Sequence, residues 1–209
     1  MSKNNFYYLE IYYPELVEDI QRNFYLINKL GKDKHYSGEL NVSVKTSVID
    51  SSHEEYENLK YLFDKYPFLG KLILTFNFPS GTKSPVHQDD TSNERVVSLN
   101  IPIQGCTDQG ITEFFDIDDK YMQLNDQGAG ARYTTIRPDA LKNGLVIKKV
   151  GGYKLTNNPV LANIQIPHRI NNTTSLTERL SISWTTNFKS WNDAVDYFYD
   201  QSVNPLIPE

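Results

Sequence analysis

Glu178-Arg179-Leu180-Ser181-Ile182-Ser183-Trp184 alternates polar with apolar side chains. In extended backbone successive side chains point to opposite faces, so Arg179, Ser181 and Ser183 share one face and Leu180, Ile182 and Trp184 the other. One face is polar and the other packs. A strand with this pattern, predicted over 178–187, belongs to a sheet whose polar side is enclosed and holds a guanidinium.

Working back from this strand, short runs rich in β-branched and aromatic residues recur between Gly, Pro, Asn and Asp turns. They predict strands near 70–78, 95–103, 111–116, 131–136, 144–150 and 160–166. Many strands with few helices between them point to a mainly β barrel or sandwich rather than a parallel α/β sheet. Residues 117–130 read as a long polar loop of the kind that lines active sites. Upstream, Leu16, Val17, Ile20, Phe24, Ile27 and Leu30 repeat at helical spacing and predict one amphipathic helix from Pro14 to Leu30, ended by Gly31. A second helix runs from a cap at Ser51 or Ser52 to Tyr66, stopped by Pro67. A last helix covers about 190–200. The expected organisation is one domain over 1–209, with helical support over about 1–68 and a β core over about 69–188.

With 39% hydrophobic, 12% aromatic and 22% charged residues, the chain has the composition of a folded globular protein. A formal charge of −5 gives no general attraction to phosphate backbones or anionic membranes, so nucleic acid is the weaker expectation for a substrate. Lys142, Lys148, Lys149 and Lys154 cluster, and read first as a solvated strand face. The sole cysteine, Cys106, excludes an internal disulfide and fits a reducing, cytoplasmic setting. No signal peptide and no membrane span is expected.

Chemistry concentrates in three segments. In Ser84-Pro85-Val86-His87-Gln88-Asp89-Asp90, His87 and Asp89 project to the same side of extended backbone and can reach one ion. In Ile166-Pro167-His168-Arg169-Ile170-Asn171, a second imidazole sits at the end of a predicted strand. Two His and one carboxylate make a facial set that suits iron(II) and leaves adjacent positions open. Arg179, enclosed in a barrel, requires a carboxylate partner, to which Ser181 can add a hydroxyl. Asn77 and Asn100 are further candidates to hydrogen-bond that partner, against ordinary strand-end bonding. Arg95, Gln165 and Arg169 are weaker candidates for contacting a second substrate. His35 and His53 read as surface residues, and Asp116, Asp118 and Asp119 as a solvated acidic turn rather than a calcium loop. Tyr121, Tyr133 and Trp184 read first as core.

The order His-x-Asp, a distant His, then Arg-x-Ser eleven residues on resembles the 2-oxoglutarate and iron(II)-dependent dioxygenase superfamily, over roughly residues 70–187. The resemblance implies a double-stranded β-helix (jelly-roll, cupin-like) core with N-terminal supporting helices. It implies Fe(II) held by His87, Asp89 and His168, and 2-oxoglutarate anchored by Arg179 and Ser181. It further implies hydroxylation of a C–H bond in a small molecule or an amino-acid side chain, consuming O2 and releasing succinate and CO2. The stretch from His168 through Arg179 to Trp184 also resembles the aspartyl/asparaginyl hydroxylase branch. That branch commonly lacks the carboxylate ligand, so Asp89 departs from it. Asp89 equally departs from related halogenases, which replace it with a small residue. Two other readings use the same residues: a zinc-dependent hydrolase, which leaves Arg179 and Ser181 without a task, and a catalytically silent β-barrel binding module.

Overall fold

The computed structural model describes residues 7–30, 32–35, 43–48, 55–89, 96–107, 109–126, 132–200 and 205–206. Its elements run β1 (Tyr8–Ile11), α1 (Pro14–Arg22), α2 (Phe24–Leu30), β2 (Lys32–His35), β3 (Ser43–Val48), α3 (Tyr56–Lys65), β4 (Leu69–Phe78) and β5 (His87–Asp89). They continue β6 (Val97–Gln104), β7 (Ile111–Asp116), β8 (Met122–Asp126), β9 (Arg132–Ile136), α4 (Pro138–Lys142), β10 (Lys148–Lys154), β11 (Val160–Asn163), β12 (His168–Asn171), β13 (Arg179–Thr186), α5 (Trp191–Asp200) and β14 (Pro205–Leu206). The strands form two antiparallel sheets. The larger has the order β14-β1-β11-β6-β13-β4-β3-β2, the smaller β10-β7-β12-β5-β9-β8. Together they make a mainly β, double-stranded β-helix with the helices outside it.

The alternation in β13 sets the layers. Ile182 and Trp184 are fully buried in a core with Leu16, Ile20, Ile27, Leu59, Leu62 and Phe198 of the helices. Each such side chain contributes about 1.5–3 kcal/mol when removed from water, so this outer face of the larger sheet carries most of the apolar stabilisation. The Trp184 indole N–H donates to the Gly70 carbonyl at 2.6 Å, which satisfies the one polar atom this residue buries. The opposite face of β13 looks toward the smaller sheet, and a second apolar cluster joins Phe114 and Tyr153 of the smaller sheet to Val160 and Ala162 of the larger, with Ile164.

Four expectations need correction. The helix over 14–30 is two, because the Asn23 side chain donates to the Asp19 carbonyl at 2.7 Å and competes with the helix's own bonding. The first third is not helical throughout: β1 enters the larger sheet between β14 and β11, and β2 and β3 extend it beyond β4. The loop over 117–130 contains β8, paired with β9, whose Leu124 is exposed and so leaves no burial signal. The strand over 144–150 lies instead at Lys148–Lys154, after α4, which has Pro at its start. β10 runs through Gly151 and Gly152 with a register shift between Lys149 and Gly151. A Cβ on Gly152 would lie 2.7 Å from the Thr112 carbonyl oxygen, so the close strand approach needs glycine. Ser51, Ser52, His53 and Arg95 lie outside the described residues. Among the described residues no helix is long and apolar enough to cross a membrane.

Candidate metal centre

β5 and β12 bring the two histidines together. His87 and His168 are the directly paired residues of these strands, and their ring centroids are 4.5 Å apart. Asp89 returns to the same face two residues after His87, with its Oδ1 3.5 Å from His87 Nε2. His87, Asp89 and His168 each offer one ligand atom, and these atoms all lie within 4.8 Å of one another. The three could hold one metal ion.

Both imidazoles are oriented in the same way. His87 Nδ1 is 2.9 Å from the Pro85 carbonyl and His168 Nδ1 is 2.8 Å from the Ile166 carbonyl, each two residues upstream and each flanking a proline segment. A carbonyl only accepts, so each Nδ1 carries the proton and donates it. In the neutral ring this tautomer leaves the Nε2 lone pair free, the form a metal requires. The Tyr133 ring, paired across from Asp89, meets the His87 ring edge-on at 6.3 Å.

A second polar group occupies the same interior. Arg179 is only 2% exposed, and its Nε and Nη1 are buried without a hydrogen-bond partner. A buried cationic fork with unmade bonds costs several kcal/mol, a cost that an anion meeting those nitrogens would offset. Ser181, Ser183 and Asn100 share its face, Asn100 being paired with Ser183. Tyr153 joins them from the smaller sheet. Burial pushes its phenol pKa up, the Arg179 charge and bonding to Thr112 and Asn100 oppose this, and the Asp89 charge adds to it. Its hydroxyl thus feels both the arginine and the Asp89 carboxylate. Phe114 packs between Tyr153 and His168, with centroids 6.1 Å from each.

Gly110 supplies the room beside the guanidinium. A Cβ there would lie 2.8 Å from Asn172 Oδ1, 3.6 Å from Arg179 Cδ and 3.7 Å from Arg179 Nη1. Asn172 cannot give way easily, because its Nδ2 donates to the carbonyls of Phe78, Pro79 and Thr177.

The remaining sequence candidates fall elsewhere. Asn77 pairs with Leu180, which puts it on the helix side of the larger sheet, opposite Arg179. Arg169 lies on the outer side of the smaller sheet, where its Nε donates to Glu113 Oε2 at 2.7 Å and Lys149 binds the other oxygen at 3.0 Å. The Gln165 backbone carbonyl accepts from Gln88. Tyr121 joins Val86, Phe115 and Ile117 in an apolar cluster. Asp118 accepts from the Lys120 backbone N–H and pairs with the Lys120 ammonium, a solvated turn as expected. Tyr153, Thr112 and Gly110 had no signal in the sequence, since β10 was expected elsewhere and a lone glycine or threonine has no motif.

No family model matches the chain. No curated protein matches it either. Solved structures do resemble it. The non-haem α-ketoglutarate-dependent epimerase SnoN of nogalamycin biosynthesis superposes with a TM-score of 0.52 at 12% identity, over 87% of this chain and 78% of that one. An oxidoreductase of the 2OG-Fe(II) oxygenase family from Burkholderia pseudomallei gives 0.49 at 12% identity, over 81% and 78%. A prolyl-4-hydroxylase from Pseudomonas putida gives 0.47 at 13% identity, over 88% and 94%. At these identities the similarity is one of fold.

Proposed function

We propose that this chain is a 2-oxoglutarate- and Fe(II)-dependent oxygenase in which His87, Asp89 and His168 hold the metal and Arg179 holds the far carboxylate of the co-substrate. The observation that carries the proposal is the buried Arg179, whose Nε and Nη1 lack partners inside the same β-helix as the metal-binding trio. A metal site alone fits zinc hydrolysis as well; an enclosed guanidinium awaiting a carboxylate does not.

The donor set suits Fe(II): two imidazole Nε2 atoms, fixed by their Nδ1–H bonds, and one carboxylate, with adjacent positions left open. Bound Fe(II) with 2-oxoglutarate supplies O2-dependent oxidation coupled to decarboxylation, giving succinate and CO2. The chain's own residues bind and orient. Arg179 grips the far carboxylate through its fork, and Ser181 with the Tyr153 hydroxyl and Asn100 offers neutral hydrogen bonds around it. Phe114 and the apolar cluster of Val160, Ala162 and Ile164 keep water from the space between the two ends. The proposed outcome is hydroxylation of a C–H bond in a small molecule or an amino-acid side chain.

The test is direct. Under anaerobic conditions, addition of Fe(II) and then 2-oxoglutarate produces a visible charge-transfer band, and admission of O2 produces succinate. No band and no succinate from the wild-type protein would overturn the proposal.

A further inference from the structure

Gln88, the residue between the two ligands of the His-x-Asp segment, faces away from the metal site by strand alternation. Both polar atoms of its amide are bonded there. Nε2 donates to the Gln165 carbonyl at 2.9 Å, and Oε1 accepts from Thr134 Oγ1 at 2.7 Å. These bonds tie three separate segments: β5, which carries His87 and Asp89; β9, which flanks it; and the turn that leads into His168.

That tie matters because the direct pairing is thin. β5 has three residues, and its only register partner on β12 is the His87–His168 pair itself. The turn is otherwise joined to β5 by the Asp89 N–H, which donates to the Ile164 carbonyl at 3.1 Å. The Gln88 amide supplies the second attachment, one residue from Ile166, whose carbonyl accepts the His168 Nδ1–H. Shifting the Gln165 carbonyl would therefore move the group that sets His168's tautomer and ring angle.

We propose that Gln88 is a positioning residue for the metal site, holding the His168 turn in register with the strand that carries His87 and Asp89. It touches neither metal nor substrate, and acts through the Gln165–Ile166 backbone. The inference rests on metal binding by the trio but not on the identity of the co-substrate. Outer partners of metal ligands typically change metal affinity about 10–100-fold when removed, and Gln88, acting one step further out, is expected near the lower end.

The probe is Co(II) alone, titrated into full-length protein and followed by its visible d–d bands. Gln88→Met keeps the side-chain length and removes both hydrogen bonds. The expected result is about tenfold weaker Co(II) binding with altered band intensity, as the ligand geometry loosens, while the metal-free protein melts close to wild type. Thr134→Val removes one of the two bonds and is expected to weaken binding by a smaller factor, less than additively with Gln88→Met; it also serves as the test if Gln88→Met does not fold. Co(II) affinity and spectrum unchanged in either folded variant overturn the role of Gln88. Failure of the wild-type protein to bind Co(II) or Fe(II) overturns the metal site itself, a different result from the first.

Discussion

Arg179→Met is the substitution on which the functional reading depends most, because binding and stability should move in opposite directions. In the wild-type protein the guanidinium is 2% exposed with two nitrogen atoms unpartnered. Truncating one side of a buried, hydrogen-bonded charge pair costs about 3–5 kcal/mol. At about 1.4 kcal/mol per tenfold, the affinity for 2-oxoglutarate should fall roughly a hundred- to several-thousand-fold. Without ligand the sign reverses. Each buried donor left unpaired costs about 1–3 kcal/mol, and methionine fills similar space with no such donor, so the variant should be more stable by about 1–4 kcal/mol.

The assay is thermal unfolding of the Fe(II)-loaded protein under anaerobic conditions, with and without 2-oxoglutarate. For a chain of this size about 1 kcal/mol shifts the midpoint by roughly 2–4 °C. The variant should therefore melt several degrees above wild type without co-substrate. Co-substrate at a hundredfold excess over its dissociation constant should raise wild type by about 2.7 kcal/mol and the variant not at all. A variant that melts lower than wild type and still gains stability from 2-oxoglutarate would refute the reasoning, since Arg179 would then have a partner within the fold.

Three further outcomes are expected. Gly110→Ala should raise KM for 2-oxoglutarate about tenfold and lower the melting temperature by several degrees, because its Cβ would press on the pinned Asn172 and on Arg179 at an overpacking cost of about 1–3 kcal/mol; steady-state kinetics and a melting curve decide it. Asn100→Ala should raise the same KM roughly two- to tenfold, the worth of one hydrogen bond, whereas Asn77→Ala should leave it unchanged. The third concerns acid. Burial works to raise the carboxyl pKa values of Asp19 and Glu113, but bonds from Lys65 and Tyr66 to the first, and from Lys149 and Arg169 to the second, outweigh it and hold both below their ordinary values. A depressed folded-state pKa contributes stability above the unfolded value, near 4, and loses it as pH falls through the folded one. Urea midpoints should thus drop below pH 4, and less steeply in Asp19→Asn or Glu113→Gln.

The contrast between Asn77 and Asn100 shows where sequence reading ends. Both are asparagines within strands, either side of the His-x-Asp segment, and nothing local distinguishes them. Their faces are set by register: Asn77 lies across from Leu180 and Asn100 across from Ser183. Register is a long-range property, and a shift of one residue exchanges the faces. The convergence of His87, Asp89 and His168 and the enclosure of Arg179 were legible because their chemistry is distinctive and their order is constrained. β13 and α5 were legible because one face of each is apolar, which imprints a period. β8 was not, because this edge strand leaves Leu124 exposed and gives no period to read. Gln88 was missed because its importance lies in a carbonyl of another segment.

β13 also explains how an arginine with two unbonded nitrogens is tolerated. Leu180, Ile182 and Trp184 project from the same strand as Arg179, Ser181 and Ser183, and two of the three are fully buried against the helices. The stabilising contacts lie on one side of the sheet and the costly polar groups on the other, one residue apart. The backbone that carries the guanidinium is thus held by packing that does not depend on the guanidinium. An interior assembled this way can keep a donor unmet until a carboxylate arrives, and the free energy released when the bonds form then appears as affinity rather than as stability of the empty fold.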